Sequence, residues 1–147
     1  MVALSEIYKD VKAQNIRLFQ YDLGDLADAA ILRTARGYGV FLDFAQYRTL
    51  RDYKAALSHE VGHCATGSLH RVDSPFELIA RNEYRADKWM IERYFPAGEF
   101  RKAFRQGYRE PWELAEWFDM PQRVVEQALH YWTDCRGLHF SPEEGEP

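Results

Sequence analysis

Two histidines four residues apart, with a glutamate directly after the first, stand in the segment AALSHEVGHCATG, residues 55–67. On a helix, positions i and i+4 share a face, so His59 and His63 can turn imidazole nitrogens toward one cation. Glu60, next to His59, is then a carboxylate that is not itself a ligand. That is the place of a general base, which takes a proton from water and passes it to a leaving amine. The pattern is short. Alone, it also describes two hydrogen-bonded or solvent-facing histidines that fall one turn apart, the less favoured reading.

The segment FELIARNEYRADKWMIERY, residues 76–94, bears on that choice. Helical spacing gives it an apolar stripe of Phe76, Ile79, Ala80, Ala86, Met90 and Tyr94. Arg81, Arg85, Lys88 and Glu92 form the charged opposite face. Glu83 and Asp87 fall inside the apolar stripe. A carboxylate facing a core costs on the order of several kcal/mol unless a cation or donors compensate it. No Lys or Arg of the same helix reaches across, so a metal held by His59 and His63 is the economical partner. Glu83 is then expected as the third protein ligand, with the fourth position open to water. Asp87 is expected to accept the ring N–H of His59 and fix its tautomer. One Zn2+ per chain is the default for this ligand set, with Mn, Co or Fe able to replace it. No oxyanion-stabilising residue stands out: His70, Tyr84 and Arg85 are near in sequence, but each reads equally well as a loop or surface residue.

These side chains need two adjacent helices. Thr49 with Asp52 three residues later opens the first, from about Leu50 to Ala65, and Gly67-Ser68 ends it. Its apolar stripe of Leu50, Tyr53, Leu57, Val61 and Cys64 leaves His59 and His63 on another face, alongside Asp52 and Ala56. Ser74 as N-cap, Pro75 at the first helical position and Glu77 open the second, which runs to about Tyr94 and stops at Phe95-Pro96. The loop GSLHRVDSP between them is short enough for side-by-side packing.

Upstream, ALSEIYKDVKAQN reads as an amphipathic helix with Leu4, Ile7, Tyr8 and Val11 on one face. IRLFQYDL reads as a strand, and AAILRTARGYGVFLDFA as two short strands joined near Gly37-Tyr38-Gly39. Downstream, AGEFRKAFRQ is helical, and EPWELAEWFDMPQRVVEQALHYW gives two short helices around Phe118-Asp119-Met120-Pro121. The tail SPEEGEP is polar and acidic, and is expected to be disordered. The expected fold class is α+β, a small sheet of about three strands beside a helical bundle.

The combination resembles the gluzincin type of metallopeptidase and, more closely, the ImmA/IrrE family of small bacterial and phage metallopeptidases. The matching segments are LSHEVGHCATGSLH, SPFELIARNEYRADKWMIERYFP and ELAEWFDMPQRVVEQAL, and with the strands they cover most of the chain. The run Glu83-Tyr84-Arg85-Ala86-Asp87-Lys88-Trp89 is the specific part. Family members often carry Asn at the position of Asp87, so the role of Asp87 toward His59 follows gluzincins in general. The resemblance implies a zincin-like metallopeptidase core over residues 1–95. It implies a helix-turn-helix-like C-terminal region over 96–135 in the same compact unit, with 136–147 as the acidic tail. It also implies a cytoplasmic zinc protease, often encoded on phages or mobile elements, whose protein substrate is a repressor-type transcription factor.

Length and composition are compatible with this. At 147 residues the chain is one domain's worth, and 46% hydrophobic content with four Trp, nine Tyr and nine Phe argues against disorder. No apolar run approaches the roughly 18 residues of a membrane span, and the N-terminus carries charges where a signal peptide would be apolar. Cys64 and Cys135 are too few for a disulfide framework, which suits a reducing cytoplasm. Cys64 is expected as a core thiol, His130 and His139 as surface or core-edge residues, and Trp112, Trp117, Tyr131 and Trp132 as core. A DNA-binding terminal helix pair is disfavoured, since between Glu110 and Trp132 Arg123 alone faces Glu110, Glu113, Glu116, Asp119 and Glu126. The alternative to an enzyme is a non-catalytic metal-binding regulator that recognises a protein partner. Glu60 argues against it, because binding metal does not need that residue.

Overall fold

In a computed structural model, which describes residues 1–71 and 73–140, the chain is α+β, with six α-helices and one three-stranded mixed sheet among the described residues. Helix α1 (Leu4–Ala13) buries Ile7 and Val11, and the Tyr8 hydroxyl meets that of Tyr53 at 2.9 Å. The strands are β1 (Ile16–Gln20), β2 (Ala29–Thr34) and β3 (Gly37–Leu42), in the order β1-β3-β2. β2 and β3 form an antiparallel hairpin in which Thr34 pairs with Gly37, so the turn is Ala35-Arg36. β1 pairs with β3 in parallel, Ile16 opposite Tyr38 and Leu18 opposite Val40. Alternation puts Ile16, Val40 and Leu42 into the core.

The hairpin turn thus precedes the Gly37–Gly39 run, which lies within β3. Gly37 serves a close approach instead: at φ 134° it lies where a Cβ would come 2.2 Å from the Asn15 carbonyl oxygen. The loop after β1 is tied down by Asp43, which accepts from Leu23 N and Gln46 Nε2, while Gln46 Nε2 also donates to the carbonyls of Gly24 and Ala27.

Helix α2 (Leu50–Thr66) starts at Thr49, whose hydroxyl accepts from Asp52 N, and ends at Gly67 in the left-handed region at φ 64°. It buries Ala55, Leu57, Val61 and Cys64, whereas Leu50, at its first turn, is exposed. Helix α3 (Phe76–Tyr94) buries Ala86, Met90 and Tyr94. The N-terminal part of its expected stripe behaves differently: Phe76 is 83% exposed and Ala80 is exposed, while Asn82 is buried. Periodicity gives the phase of a helix face but not how far along the helix that face is covered.

The chain divides within α3 into two compact units, one of residues 3–90 and the other of Met1–Val2 with the residues from Ile91 onward. The second unit holds α4 (Ala97–Arg105), α5 (Pro111–Phe118) and α6 (Gln122–His130), which a π-helical turn at Tyr131–Cys135 extends. Its core contains Phe95, Phe100, Leu114, Phe118, Met120 and Val125, with the Phe118 ring 5.1 Å from that of Phe95 and 4.8 Å from that of Phe100. Asp119 at φ 53° turns the chain from α5 toward α6. Tyr131 is buried and the Trp132 indole donates to the Phe95 carbonyl, but Trp112, expected in the core, is 56% exposed on α5. The Phe140 ring lies tilted against those of Phe100 and Phe104, 6.0 and 5.3 Å away. Residues 141–147, the greater part of the expected acidic tail, lie outside the described residues. None of the described helices is long and apolar enough to cross a membrane.

Candidate metal centre

The close approach of α2 and α3 depends on Gly62. A Cβ there would lie 2.5 Å from the carbonyl oxygen of Ala86, so only glycine allows the two backbones this near. Gly62 lies between His59 and His63, and Ala86 between Glu83 and Asp87. The contact therefore brings all four side chains to one place.

His59 Nε2 lies 2.8 Å from Glu83 Oε2, and His63 Nε2 lies 3.1 Å from Glu83 Oε1. The two Nε2 atoms are 3.1 Å apart. Behind them, His59 Nδ1 donates to Asp87 Oδ1 at 2.8 Å, and His63 Nδ1 donates to the Ser68 carbonyl at 2.8 Å. Each of those partners is an acceptor, so each ring carries its proton on Nδ1 and turns the Nε2 lone pair inward. Electron-rich atoms converge on one spot, which is unfavourable unless a proton or a cation stands between them. Ligand atoms about 2.1 Å from one ion in a tetrahedron lie roughly 3.4 Å from each other. The observed separations fall a few tenths of an ångström short of that, so the donor set fits a divalent cation after a slight opening. His59, His63 and Glu83 are the one such group of three among the described residues.

Without a metal, a proton takes the central role. Burial opposes charge on His59, but hydrogen bonds to Asp87 and Glu83 and the field of Glu60 outweigh it and carry its pKa up to about 10. His63 is also raised, Glu83 prevailing over burial and the neighbouring imidazole. The two histidines hold the Glu83 carboxyl far below the usual carboxylate range.

Glu60 takes no part in this ligand arrangement. Its side chain is half-buried, and burial, supported by the nearby charges of Glu83 and Asp28, raises its pKa against the opposing pull of His59 and His63. Tyr47 stands on the same side, its hydroxyl donating to the Asp28 carbonyl at 2.9 Å and its own pKa raised by burial and by the charges of Asp28 and Glu60.

Of the three residues left open as electrophiles, Tyr84 is exposed, and Arg85 donates to the Thr66 carbonyl at the end of α2. His70 is at the site, with Nε2 3.9 Å from Glu83 Oε1. Cys64 is buried in the core, where burial pushes its thiol up to about 12. Cys135, His130 and His139 are exposed, His130 pairing with Asp134 at 2.7 Å. Sequence reasoning missed the Ser68 carbonyl, since no side-chain pattern reports a backbone acceptor. It also missed Asn82, which donates to the Leu69 carbonyl at 3.0 Å. Its spacing three residues after Ile79 and four before Ala86 was the available signal.

No protein-family model, no curated protein and no solved structure was found to match this chain.

Proposed function

We propose that the chain is a zinc-dependent endopeptidase that hydrolyses a peptide bond in a regulatory, repressor-type protein. The observation that carries this reading is the convergence of His59, His63 and Glu83 within 2.8–3.1 Å, with the Glu60 carboxyl beside them and not needed to hold them. A divalent ion held there supplies Lewis acidity, lowering the pKa of water and polarising a scissile carbonyl.

The chain's own residues do the rest. Asp87 and the Ser68 carbonyl keep both imidazoles in the tautomer that turns Nε2 inward. Glu60, whose burial raises its pKa above the ordinary 4.5, is a stronger base than an exposed carboxylate. It takes a proton from the attacking water and delivers it to the leaving amine. A metal-binding regulator has no use for such a base, which favours catalysis over that alternative. The resemblance to ImmA/IrrE peptidases supports the remainder of the proposal: α2 and α3 as a zincin-like helix pair, α5 and α6 as a helix-turn-helix-like pair for protein recognition, and action in the cytoplasm on a phage or mobile-element repressor.

Zinc-loaded wild type and Glu60→Gln, incubated with a mixture of defined peptides, test the assignment when new termini are counted by mass spectrometry. The wild type is expected to cleave, and the variant to lose about 100-fold or more of that activity while holding the same amount of metal. Equal cleavage by both would remove Glu60 from its role.

A further inference from the structure

The three residues that follow α2 are attached to the site at three points. Gly67 in the left-handed region reverses the chain, and Ser68 N–H donates to the His63 carbonyl while the Ser68 carbonyl accepts from His63 Nδ1. The Leu69 carbonyl accepts from Asn82, a buried α3 residue adjacent to Glu83. Held between α2 and α3 in this way, His70 lies with its ring 5.9 Å from the His63 ring and its Nε2 3.9 Å from Glu83 Oε1. Its other nitrogen, Nδ1, is fully enclosed and has no hydrogen-bond partner.

Those surroundings select a tautomer. A proton on Nδ1 would bury an unpaired donor and aim the bare Nε2 lone pair at a carboxylate. A proton on Nε2 points a donor at Glu83 instead. Glu83 now spends both oxygens on the two histidines, Oε2 on His59 and Oε1 on His63. With a cation held by the two imidazoles, the direct contact of Oε1 with His63 would be given up and Oε1 would be open to another donor. Oε1 is also the oxygen beside His70. A shift of roughly 1 Å closes the gap to hydrogen-bond length.

We propose that His70 is the positioning residue of the third ligand: its Nε2–H donates to Glu83 Oε1 and holds the carboxylate in its metal-binding orientation. The inference rests on His59, His63 and Glu83 being metal ligands. Ligating carboxylates supported in this way commonly lose about 10–100-fold in metal affinity when the supporting group is removed.

The test is zinc affinity by chelator competition on the full chain, for wild type, His70→Ala and His70→Gln, with thermal unfolding of each metal-free form alongside. The expected result is about 10–100-fold weaker binding in the alanine variant, still at the wild-type stoichiometry. The glutamine variant, whose amide nitrogen reaches the Nε2 position, should recover most of the loss, and all three metal-free proteins should unfold alike. Unchanged affinity in His70→Ala overturns the proposal. So does an equal loss in both variants, which would mean ring packing, or a complete loss of binding, which would make His70 a ligand. A wild type that binds no zinc removes the ligand reading itself, and the proposal with it.

Discussion

At the scale of single residues, a proton and the proposed metal would compete for the same lone pairs. In the metal-free protein His59 has a pKa of about 10 against an ordinary 6.5. The folded value lies above the unfolded one, so its contribution to stability is fully present below pH 6.5 and is lost as pH rises through 10. Glu83 has the opposite sign: its folded pKa is depressed, so its contribution is present above the ordinary value of 4.5 and is lost as pH falls toward the lowered one. Metal-free wild type should therefore lose thermal stability between about pH 7 and pH 10, and Asp87→Asn, which removes the anionic partner of His59, should flatten that slope. On the proposed reading, zinc binding at about pH 7 should expel about one proton per site. Calorimetry in buffers of different ionisation enthalpy reads that number directly, and a value near zero would mean that His59 is not the protonated group.

At the scale of the elements, the α2–α3 contact decides whether the donors meet. Helix propensity alone makes Gly62→Ala stabilising by about 0.5–1 kcal/mol. Against this, the new methyl would be 2.5 Å from the Ala86 carbonyl oxygen, a backbone atom that cannot rotate away, and overpacking of that kind costs about 1–3 kcal/mol. The steric effect wins, so Gly62→Ala should lower the unfolding temperature and weaken zinc binding by separating Glu83 from the histidines. Gly98→Ala in α4 is the control, because nothing lies within 4 Å of a Cβ there; it should leave zinc affinity unchanged. Equal affinity in Gly62→Ala would mean that the contact does not set the donor geometry.

At the scale of the whole molecule, every donor lies within residues 3–90, while the helices from Ile91 onward have their own core of phenylalanines. The candidate triad was legible in sequence because its signals are local, the i, i+4 pair on α2 and the two carboxylates on α3, although Glu83 and Asp87 are 43% and 28% exposed where a core-facing position was expected. The class of fold was legible for the same reason, from caps at Thr49 and Gly67 and from alternation in the strands. What depends on distant neighbours was not. The parallel pairing of β1 with β3 joins residues about 20 apart, and Gly37, read as part of a hairpin turn, proved to serve a close approach to Asn15. Exposure of Phe76 and Trp112 likewise reflects what does or does not cover a face, which periodicity cannot report. The central claim is that three side chains from two helices hold one metal, and metal content is its most direct test. Wild type and Glu83→Ala would be purified without added metal and analysed by elemental mass spectrometry. The expected result is about one zinc per chain in the wild type and a clear loss in the variant. A folded wild type that takes up no metal even when zinc is supplied would show that His59, His63 and Glu83 do not act as ligands, and the peptidase reading would fall with them.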